Sequence, residues 1–448
     1  MAAEPNTPAS IPQGLPSVDA SPPSPRGEGS RGPAAGPPQG GTSQNSASTA
    51  SQSHPPPREG GRGEGPLRVG PADDGDASIA IVGGGPVGMA LALALARQGG
   101  RARIYEARER GAARADPRIL ALSHGSRQIL EWLGVWRAIA ATPIAAIHVS
   151  QQGGFGRTRL SAAEQGLAAL GYVATAASVG AALDDALAAA DLPFRQHARV
   201  DRVELGPESL RLFTATDEAV ARLVVYAEGQ IKAGAAAVTR DYGQSAVICR
   251  ATTTAAHGNV AHERFTAQGP LALLPIGAEL AVVYTCPRED AEKLAAMADA
   301  AFLARLQTHF GTRLRFTAVT GRQVYPLTLC YRKSPVGSRS VWLGNAAQTL
   351  HPVAGQGFNL ALRDIWELAR CLMDAEDPGE VERLARYAAA RRTDRMAAIG
   401  FTDSLVRLFG SELPPLRLGR GIGLLALDLL PPARAFVARR MIYGARAW

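Results

Sequence analysis

The chain has 448 residues, 46% of them hydrophobic and 20% charged, a globular composition with room for one large or two ordinary domains. Its formal net charge is +8, yet only three of the 48 basic residues are lysines (Lys232, Lys293 and Lys333), and no basic stripe interleaves with the sparse aromatics. That arginine bias does not read as a nucleic-acid footprint, and no nucleic-acid partner is expected. The four cysteines (Cys249, Cys286, Cys330 and Cys371) form no CxxC pair. This argues against a disulfide framework or zinc site and suits a reducing cytoplasm. The eight histidines form no H-x-x-x-H cluster, so no metal is expected. No apolar run approaches the ~18 residues of a membrane span, and the N-terminus lacks the apolar core of a secretory signal.

Residues 1–76 hold 15 of the 31 prolines and almost no large apolar side chains. Such a segment cannot bury enough surface to offset ordering entropy and is expected to be disordered. The folded body starts near Ala77. A strand (Ser78 to Val82), a Gly-rich turn, a helix (Pro86 to Gln98) and a second strand (Arg101 to Glu106) make a βαβ opening. Residues 118–140 read as helical. A short strand (Ala146 to Gln151), an Ala-rich helix (178–190) and two strands (Arg199 to Leu205, Leu210 to Thr214) follow. Alternation from Gln244 to Tyr331 predicts an antiparallel sheet with strands at Ala246 to Arg250, Val260 to Thr266, Leu280 to Cys286 and Arg315 to Leu329. A single helix, Ala291 to Phe310, interrupts it. The remainder is mostly helical.

Two Gly-rich stretches carry the chemistry. The first, IAIVGGGPVG (79–88), places Gly83, Gly85 and Gly88 in the G-x-G-x-x-G spacing. The first glycine permits the tight turn, the second lets a diphosphate approach the backbone, and the third lets helix and strand pack closely. Pro86 fits the first helical turn, whose N-terminus attracts a phosphate. Glu106 ends the second strand where a carboxylate binds ribose hydroxyls. This motif does not distinguish NAD from FAD. The second stretch, GNAAQTLHPVAGQGFNLALRD (344–364), follows an apolar strand and runs into a long helix from about Phe358 to Met373. Asn345 can donate to and accept from ligand oxygens. Gly355 and Gly357 bring the backbone close to a planar ligand, and the helix N-terminus favours negative charge there.

With the segments RILALSHGS (118–126), HERFTAQGPLALLP (262–275) and FTDSLVRLF (401–409), these motifs make residues 78–448 resemble the aromatic-ring flavoprotein monooxygenases of the para-hydroxybenzoate hydroxylase type. More closely the chain is similar to the ubiquinone-biosynthesis hydroxylases. Asn345, where the wider superfamily has Asp, points to their 2-octaprenyl-6-methoxyphenol hydroxylase branch. The resemblance implies an α/β fold: a Rossmann-like FAD-binding domain with an inserted antiparallel β-sheet substrate domain and a helical C-terminal region. The FAD-binding parts would be 77–143, 171–240 and 334–378, the substrate parts 144–170 and 241–333, and the helical region 379–448.

The resemblance further implies bound FAD, with NAD(P)H and O2 as co-substrates. It places Gly83, Gly85 and Gly88 on the FAD diphosphate and Glu106 on the adenosine ribose, with Arg118 approaching the cofactor. Gly344 and Asn345 fall on the ribityl and diphosphate region. Phe358 and Asn359 supply backbone amides to the flavin pyrimidine edge, and the Pro352 carbonyl faces the phenol. The family usually has Asp followed by Ser where this chain has Glu228 and, nearby, Lys232.

The implied reaction hydroxylates a 2-polyprenyl-6-methoxyphenol para to its hydroxyl. Hydroxylation of another phenol or ring position, and a non-catalytic FAD-binding scaffold, are the rival readings. His351, beside Pro352, either carries a proton near neutral pH or is a structural loop residue. Leu271, Leu273, Leu274, Pro275 and Ile276 either wall a polyprenyl channel or form plain core. Residues 413–448, rich in leucine and arginine, read either as a peripheral contact with the inner membrane or other ubiquinone-biosynthesis enzymes, or as an ordinary helical layer.

Overall fold

The computed structural model describes residues 78–231, 236–351, 355–410 and 414–444. The N-terminal segment, Lys232 and Pro352 lie outside the described residues.

In chain order the elements begin with β1 (Ile79–Val82), α1 (Pro86–Arg97), β2 (Ala102–Tyr105), β3 (Ile119–Ser123), α2 (His124–Trp132), β4 (Ala141–Ile144), β5 (Ala146–Gln151), β6 (Arg157–Ser161), β7 (Gly171–Thr175) and α3 (Ala176–Ala189). Next come β8 (Phe194–Arg195), β9 (Arg202–Leu205), β10 (Leu210–Phe213), β11 (Glu218–Ala221), β12 (Leu223–Tyr226), β13 (Ala237–Thr253), β14 (Val260–Thr266), β15 (Gly269–Ile276) and β16 (Glu279–Pro287). The last part holds α4 (Arg288–Ala295), α5 (Asp299–Phe310), β17 (Phe316–Arg332), β18 (Val336–Gly337), β19 (Ser340–Trp342), β20 (Gln348–Thr349), α6 (Gln356–Leu372), α7 (Val381–Gly410), α8 (Pro414–Leu429) and α9 (Pro431–Tyr443).

Period-2 alternation in Ile79–Val82 sets the first layer boundary. Ile79 and Ile81 pack with α1, α3 and α6, while Ala80 and Val82 face the small sheet β11-β10-β9. Strand β1 is central to a sheet of order β18-β19-β12-β1-β2-β8. Its pairings β19–β12, β12–β1 and β1–β2 are all parallel. The C-terminal ends of β1 and β19 therefore lie on one edge, where open α/β sheets bind ligands. Both Gly-rich motifs leave from that edge.

The second large sheet runs β20-β17-β13-β16-β15-β14-β5-β6. One of its faces buries Leu271, Leu273, Val282 and Tyr284 against Phe302, Leu306 and Phe310 of α5. Its other face looks toward the Gly-rich edge.

Two sequence expectations change. Residues 118–140 are not one helix: β3 pairs antiparallel with β7 before Ser123 caps α2 by accepting from the Ser126 N–H at 3.2 Å. The alternating ILALS segment had a strand partner some fifty residues ahead. The helix expected over 291–310 is two, α4 and α5, because Ala298 adopts extended backbone (φ −57°, ψ 144°) and starts a new helix.

Candidate active site

The two Gly-rich turns share one cavity of about 1420 Å³. Gly83, Gly85, Glu106, Arg118, Glu228, Gly344, Asn345, His351, Gly355, Gly357 and Phe358 all line it. Gly88 and Asn359 do not, and each has a structural task. A Cβ on Gly88 would lie 2.0 Å from the Gly83 carbonyl oxygen, so this glycine lets α1 pack against the end of β1. Asn359 is 2% exposed. Its Oδ1 accepts from the Ser123 N–H (2.8 Å) and the Ser126 hydroxyl (2.7 Å), and its amide donates to the carbonyls of Ala121 (2.8 Å) and Gly355 (2.6 Å). It clamps β3 and α2 onto the start of α6.

The cavity has the shape of a cradle for a nucleotide cofactor. Gly83 (φ +114°) has no space for a Cβ, which would stand 2.8 Å from the Ala227 carbonyl. Gly85 and Gly357 have nothing within 4 Å of that position and give open backbone to the cavity. Helices α1 and α6 both begin at its wall, capped by Gly85 and Gly355 with no side-chain cap. The first-turn N–H groups of a helix have no intrahelical partner, and two such termini make an anion-binding wall.

Glu106 is buried and its Oε2 accepts from the Gly84 N–H at 2.7 Å. Its Oε1 accepts from the Arg108 backbone N–H (3.0 Å) and Nε (2.9 Å). Burial pushes this carboxyl up, but the hydrogen bonds from Arg108 and Gly84 outweigh it and hold the group below its ordinary value. Its Oε2 also accepts from the Arg108 Nη2 at 3.4 Å, the longest of its bonds. Arg118 is exposed and chelates the Asp116 carboxylate through Nε (2.9 and 3.0 Å) and Nη2 (2.5 Å). Glu228 follows β12 at the cavity wall and acts electrostatically on Tyr226 and Arg332.

His351 is 1% exposed and meets Tyr242 edge-on at 5.7 Å. Burial drives its pKa down to about 4, so the imidazole is neutral at physiological pH and does not titrate near neutrality. The expected channel wall changes. Leu271 and Leu273 point into the core behind the sheet, while Leu274 lines the cavity, as strand alternation requires.

Two polar residues outside the cavity lining tie its elements together. Gln348 is held between Asp364 (3.0 Å) and Arg395 (2.6 Å) in a buried network tying the second motif to α6 and α7. Asp403 accepts from Tyr242 (2.9 Å) and Arg240, anchoring α7 to β13. Away from the Gly-rich edge the cavity continues as an apolar arm. Its walls are the sheet residues Ile147, Leu160 and Leu274 and, opposite, Phe401, Leu405, Leu424, Leu427, Val437 and Met441 of α7, α8 and α9. Helical spacing at Leu416, Gly419, Gly423 and Leu427 was the available signal for α8, but its direction depended on packing.

A family model described as "FAD binding domain" matches residues 76–402. Ubiquinone hydroxylase UbiL of Rhodospirillum rubrum is 33% identical over 401 residues, covering 84% of this chain and 92% of the relative. The 3-demethoxyubiquinol 3-hydroxylase of Escherichia coli is 32% identical, covering 78% and 94%. Among solved structures, p-nitrophenol 4-monooxygenase PnpA of Pseudomonas putida matches with a TM-score of 0.68 at 16% identity, covering 83% of this chain and 99% of that one. HpxO of Klebsiella pneumoniae, complexed with FAD and uric acid, matches with a TM-score of 0.64 at 16% identity, covering 80% and 97%. The structures agree in fold, and the sequence relatives agree in chemistry. The chain is therefore an FAD-dependent hydroxylase and belongs to the ubiquinone-biosynthesis FAD hydroxylase family.

Proposed function

We propose that the enzyme hydroxylates a 2-polyprenyl-6-methoxyphenol para to its ring hydroxyl. The observation that carries this reading is a single cavity that joins a nucleotide cradle to an apolar arm. The arm suits a prenyl tail, and the junction is where a ring would meet the cofactor. In this reading Gly83 and Gly85 approach the FAD diphosphate and Glu106 the adenosine ribose. Gly344 and Asn345 take the ribityl region, Arg118 and Glu228 flank the cofactor, and the α6 terminus at Gly355, Gly357 and Phe358 meets the pyrimidine edge, with Asn359 holding that terminus in place. The Pro352 carbonyl, expected from the resemblance at the phenol, lies outside the described residues.

When bound, FAD would supply the redox chemistry that couples NAD(P)H and O2, with one oxygen atom entering the ring and the other released as water. The protein binds, orients and keeps water away. The buried sheet face and helices α7 to α9 exclude solvent from the arm. The α6 N-terminus favours negative charge at its end.

A second reading is motivated by the E. coli relative, whose name specifies a 3-demethoxyubiquinol and the 3-position. Incubation of the flavin-loaded protein with NAD(P)H and each compound, followed by product identification, decides. A para-hydroxylated product from the methoxyphenol is expected. Its absence, with turnover of the demethoxyubiquinol, overturns the first reading in favour of the second.

The same reading places a lipid surface at α8. Leu418 (54% exposed), Ile422 (54%), Leu425 and Leu429 (67%) form an outward apolar face on the helix whose inner face lines the arm. Among the described residues no single helix is long and apolar enough to cross a membrane, and Leu418–Leu429 and Pro431–Tyr443 meet at a 99° bend. A bent apolar pair suits peripheral seating on a bilayer that holds the prenylated substrate.

A further inference from the structure

One row of side chains crosses five strand pairings on the cavity face of the second sheet. Ile248 pairs with Val283, Val283 with Ala272, Ala272 with Glu263, Glu263 with Val149, and Val149 with Thr158. All six line the cavity. Four are apolar, and Glu263 is the one ionisable member. Its strand neighbours in phase, Ala261 and Phe265, are apolar too. Its neighbours out of phase, His262 and Arg264, turn their side chains toward α5, and His262 also borders the cavity. There His262 meets Phe310 edge-on at 5.3 Å and the Arg264 Nε donates to the His309 carbonyl at 2.9 Å.

Among the described residues, the buried Oε1 of Glu263 meets no hydrogen-bond partner. Thr158 Oγ1, two strands away in the same row, is in the same condition, roughly 10 Å off by the spacing of strands. A buried polar atom without a partner costs about 1–3 kcal/mol, so two of them aimed at one cavity need an account. A ligand with ring oxygens supplies one.

We propose that Glu263 is the proton acceptor for the substrate's ring hydroxyl. The proposal rests on the phenol reading above. The Glu263 carboxylate accepts the phenol O–H hydrogen bond, takes the proton as electron density moves from that oxygen into the ring, and leaves a phenolate-like ring to receive the electrophilic oxygen. The ring carbon then loses its own proton to solvent as the ring regains aromaticity. The substrate oxygen takes its proton back from Glu263, which is ionised again for the next cycle. NAD(P)H and O2 supply the electrons and oxygen of the established reaction.

The surroundings fit the task. Burial alone raises the Glu263 carboxyl to about 7, near the operating pH that suits a general base. Among the described residues, the elements packed on it surround it with apolar side chains, and burial is the cause that moves its carboxyl. Strand β5 presents Val149, β15 presents Ala272, and α7 presents Leu405 and Val406 beside Phe265. Tyr242 and Asp403, nearby on β13 and α7, are bonded to each other and Asp403 to Arg240. The Arg420 Nη1 on α8 donates to the Leu408 carbonyl at 3.0 Å. His351 is neutral in the working range.

The test compares the flavin-loaded wild type with Glu263→Gln and Glu263→Asp. Glu263→Gln should keep its flavin absorbance, lose about a hundredfold in kcat and lose the limb of the pH profile that rises through neutrality. Glu263→Asp should recover part of the rate. Infrared difference titration of the protein without substrate should show a carboxyl band that disappears as pH rises through about 7 and is missing in Glu263→Gln. A Glu263→Gln enzyme with wild-type kcat and pH profile overturns the proposal. So does a wild type that lacks both the rising limb and the infrared band. If the wild type makes no product from the phenol, the substrate reading fails instead, and the infrared titration still decides whether Glu263 is the neutral-range base.

Discussion

A Cβ on Gly344 would stand 2.9 Å from Cγ2 of Val87. The turn after β19 and the first turn of α1, about 257 residues apart in sequence, are therefore packed at the width of a glycine. That contact makes one cavity out of two motifs. Gly344 also has φ +56°, a backbone that side chains with a Cβ rarely adopt. Gly344→Val should cost about 1–3 kcal/mol from strain alone, with further loss from the clash. The measurement is thermal unfolding together with bound-flavin absorbance. Wild-type flavin content in this variant would refute the contact's importance.

Asn359 meets four groups on three segments. Asn359→Ala would leave buried partners unsatisfied and should destabilise by about 2–4 kcal/mol. Asn359→Asp should be no better, because a carboxylate cannot donate to the Ala121 and Gly355 carbonyls. Denaturant midpoints of both variants check this. A Gly85 or Gly357 substitution, pointing into open space, should leave the midpoint near wild type and weaken FAD binding instead.

Arg363, Arg391, Asp364 and Asp394 form a buried ion cluster between α6 and α7. Arg363 Nε meets Asp394 at 2.8 Å, and Arg391 meets Asp394 and Asp364, each at 2.6 Å. Burial raises the Asp394 carboxyl, but the two guanidiniums outweigh it and hold it well below the ordinary carboxylate range. Its stabilising contribution is thus present above the unfolded value of about 3.9 and is lost as pH falls through the folded value. Asp394→Ala at neutral pH should cost about 3–5 kcal/mol by stranding buried arginines. Urea unfolding at pH 7 reads this directly.

His262 and His351 behave in a related way at milder acidity. Burial pushes both down to about 4, with His148 and Arg313 adding to the effect on His262. The unfolded chain binds these protons near 6.5. Stability is therefore full above that value and falls as pH drops toward about 4. His351→Gln should flatten the pH dependence of unfolding free energy across that window by up to about 1.4 kcal/mol per pH unit. It should leave the neutral limb of kcat unmoved. A shift of that limb would return His351 to proton transfer.

Leu418→Glu combined with Ile422→Glu places charge on the outward face of α8 without touching its cavity face. Binding to anionic phospholipid vesicles should fall at least about tenfold. Turnover of a short-chain, water-soluble phenol should not change. Equal loss of both would locate those side chains in the catalytic machinery rather than on a lipid surface.

The motifs were legible because each depends on local chemistry. Gly83, Gly85 and Gly88 follow the spacing of a βα turn, and Gly355 suits a turn with φ +59° where a Cβ would stand 2.9 Å from that of Ala121. Alternation named β14 and the parallel opening for the same reason. What stayed hidden depended on partners distant in sequence. ILALS became β3 only because β7 lay ready to pair with it. Leu273 and Leu274 went to opposite faces, one to core and one to cavity, by the register of β15. Glu263 was an ordinary strand carboxylate until pairing set it between Ala272 and Val149. Sequence alone therefore determined that a dinucleotide-type cofactor meets a second glycine turn. Tertiary structure decided which side chains share its cavity, because pairing and packing, unlike backbone conformation, are not local properties.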